Sequence, residues 1–270
     1  MNDHLTREQN GRLAGLLREQ LNEMMIAAHG LSGLVGDSEK GRDYLALMNR
    51  GLHRQLRLTR HLELMHRLSD EDEIRLNLQP VDAVEVCRDL MNQVESILRE
   101  CGIRAALHTS LNSLIISADR ARLEDMLLCL ISNSVKAVGE NGSIDLTLEC
   151  RNGRILFLLS DNGGGVSAEA LAEFFDCNPQ PYEEPTEITL KLGLPLARKI
   201  ASLHGGFVIA DNYAGTGMRL AVILPMQDCD SENRLYTSIP DLNESGWNRV
   251  LIELSDSLPA KFFTPEELSG

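Results

Sequence analysis

The chain has 270 residues, 43% of them hydrophobic but only 4% aromatic, and a formal net charge of −14. That length supports more than one packed core, built from aliphatic side chains rather than rings. So acidic a surface repels a polyanion and argues against nucleic acid as a partner.

No apolar run reaches the roughly 18 residues of a membrane span, and the opening MNDHLTREQNGR lacks the apolar core of a signal peptide. A soluble, cytoplasmic protein is therefore expected. Cysteines stand at 87, 101, 129, 150, 177 and 229 without a CxxC pair, which reads as reduced thiols rather than a metal knuckle.

In chain order, residues 5–35 read as a helix, with Leu13, Leu17, Leu21, Met24, Ala28, Leu31 and Val35 at spacings of three and four. GDSEKG (36–41) is a turn, and residues 42–68 form a second helix with Leu45, Met48, Leu52, Leu56, Leu62 and Met65 on one side. The two make an antiparallel hairpin. Its apolar stripe is wider than one partner helix covers, so a second copy is expected to complete a four-helix bundle. No proline precedes Pro80, which suits two unbroken helices.

LNLQPVD (76–82) reads as a linker. Residues 82–101 read as helix, 104–109 and 113–117 as extended, and 118–139 as a strong helix. IDLTLEC (144–150) and RILFLLS (154–160) are strands joined across Arg151-Asn152-Gly153. A short helix over 168–175, a proline-bearing loop over 176–191 and a helix over 192–206 follow. FVIADN and MRLAVILP are strands, and the tail holds one further strand candidate, WNRVLIEL (247–254), with the single tryptophan, Trp247.

Asp161 leaves a strand and opens a glycine run, DNGGG. A carboxylate there can accept from an exocyclic amine such as that of adenine, and glycines let the backbone approach a flat ligand; a plain tight turn explains the run equally well. Asn133, on the helix 118–139, offers an amide oxygen suited to Mg²⁺. Lys136 lies three residues on, on the same helix face, and could meet a phosphate. Gly193 opens the later helix, whose N-terminus suits an anion.

Taken together, LCLISNSVKAV (128–138), DNGGGV (161–166), LGLPLARKIASLHGG (192–206) and GTGMRLAVILP (215–225) resemble the N, G1 and G2 boxes and closing strand of the histidine-kinase ATPase domain. The hairpin resembles that family's dimerisation and phosphotransfer domain. The resemblance covers roughly residues 10 to 226. It implies an α+β chain: a helical hairpin over 1–75, forming a dimeric four-helix bundle, then an α/β-sandwich ATPase domain of the Bergerat type over 76–226. Residues 227–270 would be a tail, set down as packed on the ATPase domain. It also implies ATP and Mg²⁺ as cofactors. Asn133 would be the Mg²⁺-binding residue and Asp161 the adenine-binding one, with Gly163 and Gly165 as the floor of the site. Gly193 and Leu194 would stand at the base of the ATP lid. A response-regulator receiver domain or another kinase would be the partner.

The sequence departs from the family in two places. The His-acid-Pro motif is missing: the expected region reads Arg18-Glu19-Gln20-Leu21-Asn22, and an arginine cannot accept a phosphoryl group. His29, followed by Gly30, is the nearest alternative phosphoacceptor. The lid frame reads Thr189-Leu190-Lys191-Leu192-Gly193 where the family has Gly-x-Gly-Leu-Gly. Cys129 replaces a second Asn, and Met218 replaces a Thr. Three readings stay open: a histidine-kinase-like ATPase, a non-enzymatic dimeric scaffold, and an ATP-independent histidine phosphotransferase.

Overall fold

The absence of proline before Pro80 and the helical spacing of the apolar residues make the N-terminal part helical. In this computed structural model, which describes residues 2–35, 38–68, 76–139, 141–165, 192–213, 217–226 and 248–264, α1 spans Asn2–Val35 and α2 spans Glu39–Arg67. Ser38 caps α2, its hydroxyl accepting from the Gly41 N–H at 3.3 Å. The chain divides into two units, which are described separately: Met1–Ile74 with Pro240–Gly270, and Arg75–Ile239.

The first unit is closed by the far end of the chain. Leu21, Met25 and Ala28 of α1, at spacings of four and three, meet Leu52 and Leu56 of α2 and Ile252 of the tail in one core. Leu17, Met24 and Leu31, read as one stripe with Leu21 and Ala28, are instead exposed, and Met25 takes the inward position. The stripe is thus two columns, one facing α2 and one facing out. Arg18 pairs with Glu63 of α2 at 3.3 Å.

The tail corrects one expectation. Residues 247–254 do not form a strand: Arg249–Leu254 is a helix, α6, capped by Asn248, whose side chain accepts from the Val250 and Leu251 N–H groups at 2.9 and 3.3 Å. The described tail packs on α2 within the first unit. A 3₁₀ turn, Ala260–Phe263, ends it, with Phe263 fully buried and edge-on to His53 at 5.0 Å between centroids. Asn49 Nδ2 donates to the Phe263 carbonyl at 2.9 Å. Arg54 meets Asp256 at 2.7 Å, Arg57 pairs with the same carboxylate, and His61 meets Glu253 at 2.9 Å. Trp247 lies outside the described residues.

The second unit begins where a linker was expected. Gln79–Asp82 is a short strand, β1, paired antiparallel with β3, Ile115–Ala118. Asp82 caps α3 (Ala83–Arg99), its carboxylate accepting from the Val84 N–H at 2.9 Å. β2 is Arg104–His108, and α4 is Arg120–Ala137. β4 (Ser143–Arg151) and β5 (Arg154–Asp161) join through Asn152 and Gly153, at φ 52° and 70°, the turn that the right-handed strand twist selects. α5 (Gly193–Leu203), β6 (Phe207–Tyr213) and β7 (Gly217–Pro225) follow. The expected helix 168–175 and loop 176–191 lie outside the described residues.

The five-stranded sheet runs β2-β4-β5-β7-β6, parallel only between β2 and β4. Alternate residues Ile144, Leu146 and Leu148 of β4, Ile155, Phe157 and Leu159 of β5, and Leu220, Val222 and Leu224 of β7 point inward and are buried, as period-two patterning requires. Val94, Leu98, Leu123, Leu127, Ile131, Leu196 and Ile200 of α3, α4 and α5 are the buried helical side of this two-layer core. Among the described cysteines all are free thiols; burial pushes the Cys87 thiol up to about 12, which leaves it inert.

Two consequences are measurable. Phe263→Ala empties a fully buried ring position between the tail and α2 and should cost about 3–5 kcal/mol in urea unfolding; a loss under about 1 kcal/mol would show the tail does not dock there. Two buried imidazoles set the second. His53 donates from Nδ1 to the Asn49 carbonyl at 2.8 Å, and His204 donates from Nδ1 to the Ile200 carbonyl at 2.9 Å while Nε2 accepts from the Asp119 N–H at 3.2 Å. Burial holds both below the ordinary imidazole value of 6.5. The unfolded chain therefore binds more protons than the folded one as pH falls below 6.5. Stability should be full above that value and decline beneath it, seen as a lower urea midpoint at about pH 5.5 than at about pH 7.5, with a shallower decline in His204→Gln.

Candidate functional site at the end of strand β5

Asp161 is the last residue of β5, and its carboxylate is held from three directions. Oδ1 accepts from the Gly163 N–H at 3.0 Å and from the Met218 N–H at 3.2 Å. Oδ2 accepts from the Ser134 hydroxyl at 2.9 Å. The donors come from the glycine turn, the start of β7 and the helix α4, so one half-buried side chain joins three segments distant in sequence. Asn162 closes the turn onto β4: its Oδ1 accepts from the Ser143 N–H at 2.7 Å and its N–H donates to the Ser143 carbonyl at 3.2 Å.

Two glycines are fixed by this geometry. A Cβ on Gly163 would lie 2.6 Å from the carbonyl oxygen of Ala137, at the end of α4, so the turn approaches that helix closer than a side chain allows. A Cβ on Gly217, at φ +116°, would collide with the carbonyl oxygen of Asp161. The central Gly164 has open space around it.

The structure brings Asp161 and Gly163 together with α4 at Ser134 and Ala137, the residues flanking Asn133 and Lys136 in that helix. Asn133 is half-buried and Lys136 exposed. Gly165 sits just beyond, at φ +69°. Gly193 starts α5, and Leu194 is buried in the core, where it supports the helix. His29 is exposed on α1, in the other unit. Sequence reasoning missed Ser134 and the Met218 N–H. The second is a backbone group and carries no side-chain signal. The first did have one: Ser132-Asn133-Ser134 interrupts an otherwise apolar helix, and both serines are buried.

Residues 118–228 match the model of the histidine kinase-, DNA gyrase B- and HSP90-like ATPase family. The sensor histidine kinase ZraS of Klebsiella oxytoca is 35% identical over 112 residues, 41% of this chain and 23% of that protein. The circadian input-output histidine kinase CikA of Synechococcus elongatus is 27% identical over 204 residues, 70% of this chain and 26% of that protein. Full-length ShkA, solved in complex with AMPPNP, superposes with a TM-score of 0.64 at 27% identity, covering 81% of this chain and 45% of that one. Residues 118–228 are a domain of this ATPase family, and the chain as a whole is similar to histidine kinases. The chain spans about a quarter of the length of these two curated relatives.

The family match over residues 118–228 takes in the region around Asp161, with β5 ending at Asp161 and α4 carrying Asn133 and Ser134. Among the described residues, no helix is long and apolar enough to cross a membrane.

Proposed function

We propose that this histidine-kinase-like chain binds an adenine nucleotide chiefly through its base and engages a response-regulator receiver, without phosphorylating itself by the family's usual route. The observation that carries the reading is the carboxylate of Asp161, fixed by the Ser134 hydroxyl and two backbone N–H groups at the end of β5. A carboxylate offers about four acceptor positions, and three are taken here, which leaves one for a ligand amine. ShkA was solved with AMPPNP, an adenine nucleotide analogue, which supports this class of ligand.

Asn133 is the residue to hold Mg²⁺. Its half-buried amide stands on α4 one position from the Asp161 contact, and one neutral oxygen fits a cation that keeps most of its shell of water and phosphate oxygens. Mg²⁺ would neutralise phosphate charge beside an acidic chain. Lys136, exposed one turn along, is placed to meet a phosphate. Phosphate grip is weakened where the lid frame carries Thr189 and Lys191 in place of glycines, because backbone N–H groups there would be held off by side chains.

Any phosphoacceptor of the family's kind would stand on α1. Arg18, in the region where the family's histidine is expected, is committed to Glu63, and His29 is an exposed imidazole on the same helix. That exposure favours a second reading, in which His29 receives phosphate from a receiver rather than from ATP. The hairpin also exposes Met24 at 54% and Tyr44 at 72%, with Leu17, Leu31, Met48 and Leu62, an apolar face that suits a second copy of this chain.

Two measurements test these statements. ATP, ADP and AMP should each raise the melting temperature, with affinities within about tenfold of one another, and Asp161→Asn should abolish the shift. With γ-labelled ATP and Mg²⁺ no acid-labile label should form; strong label lost in His29→Ala would restore an autokinase. Label from a phosphorylated receiver that depends on His29 would establish the phosphotransferase. Separately, the protein should sediment as a dimer, and Met24→Glu with Leu31→Glu should yield monomer; an unchanged mass would reject the bundle.

A further inference from the structure

We infer that Ser134 is a specificity-determining positioning residue: by clamping Asp161 it makes the base end of the site accept a 6-amino purine and refuse a 6-oxo one. The inference rests on the nucleotide reading above and adds to it a residue and a base preference.

The two carboxylate oxygens of Asp161 have different roles. Oδ1 of Asp161 is saturated by the backbone N–H groups of Gly163 and Met218. Neither donor can be removed by a side-chain change, so this oxygen is part of the fold. Oδ2 is the oxygen left to a ligand, and the group that fixes it is the Ser134 hydroxyl at 2.9 Å. Ser134 is 2% exposed on α4, so its hydroxyl cannot exchange this partner for bulk water.

A hydroxyl has one proton. With that proton given to Oδ2, the Ser134 oxygen keeps only acceptor lone pairs, and Oδ2 keeps one as well. The pair therefore presents acceptors alone. A ligand group with N–H donors, such as the exocyclic amine of adenine, is matched. A ring carbonyl at the same position, as in hypoxanthine or guanine, sets acceptor against acceptor and leaves both groups unpaired, the arrangement that discriminates most strongly.

Met218 sharpens the point. It contributes its backbone N–H to Oδ1, while its side chain is buried and apolar. The thioether cannot donate to Oδ2. Among the described hydrogen bonds, Ser134 supplies the one side-chain donor to this carboxylate. Removing it leaves Oδ1 held by the backbone but gives Oδ2 room for a water, which can donate to Oδ2 and to a ligand carbonyl at once.

The test is titration calorimetry with ADP and inosine diphosphate on the full chain, wild type against Ser134→Ala, Ser134→Thr and Ser134→Cys. Wild type should prefer ADP by about tenfold or more. Ser134→Ala should weaken ADP about fivefold while leaving inosine diphosphate nearly unchanged, so the preference collapses. Ser134→Thr, which keeps the hydroxyl, should restore it. A preference undiminished in Ser134→Ala overturns the inference, because a purely structural role would weaken both ligands together. Should the alanine variant fail to fold by circular dichroism, Ser134→Cys, of similar size and a weak donor, reads the same ratio. Wild type that binds neither nucleotide overturns the nucleotide reading, and this inference falls with it; wild type that binds both equally overturns this inference alone.

Discussion

The three hydrogen bonds onto Asp161 are the constraint on which the rest of the second unit turns. A strand that ends in a carboxylate would ordinarily present that group to water. Here it ends beside the last turns of α4 and the first residue pairs of β7, and the carboxylate takes a donor from each. Each of the three ties a helix, a turn or a strand to the end of β5. The same requirement explains the glycines: Gly163 and Gly217 are places where backbone passes against backbone so closely that no Cβ fits. The site is thus made by close approach of main chains, with few side chains involved.

That construction decides what the sequence could reveal. Period-two and period-3.6 patterns name the elements, because burial on one face is what selects the residues. β4, β5, β7, α3 and α4 are all legible on that basis, and so is the acid at the strand tip. Partners across the site are not. That Ser134 reaches Asp161 is a fact of the α4 packing, and the Met218 N–H is available to Asp161 only because β7 pairs with β5 in the observed register. The short β1 is equally obscure, because four residues are too few for alternation to speak and one of them is Pro80, whereas the expected extended stretch 113–117 overlaps β3.

In α1 the apolar residues were read correctly as a stripe, but its two columns were not separated. Leu21, Met25 and Ala28 face inward, while Leu17, Met24 and Leu31 face out. An ideal helix drifts relative to any short repeat, so a wide stripe has two seams, and composition alone does not say which seam meets which partner. The inward seam is answered within the chain. The outward one is the feature that makes a lone hairpin incomplete.

The tail shows the same limit from another side. Val250-Leu251-Ile252-Glu253-Leu254 is β-branched and apolar enough to read as a strand, and six residues hold too little period to say otherwise. What makes it a helix is the Asn248 cap and the surface it meets. That surface is α2, where Arg50, Arg54, Arg57 and His61 recur at helical spacing and receive Glu253, Asp256 and tail carbonyls. Arg54 is half exposed, and such pairs contribute little energy on their own. The stabilisation must come from Ile252 and Phe263, which lose their water on docking. Apolar burial has no direction, however, and a short helix could slide along α2 by a turn without losing it. Cations repeated along α2 would not forbid that slide, but the Asn49 amide on the Phe263 carbonyl and the Phe263 ring against His53 are single contacts that one turn of displacement would break. These polar and ring contacts therefore set the register of a contact whose strength comes from apolar burial.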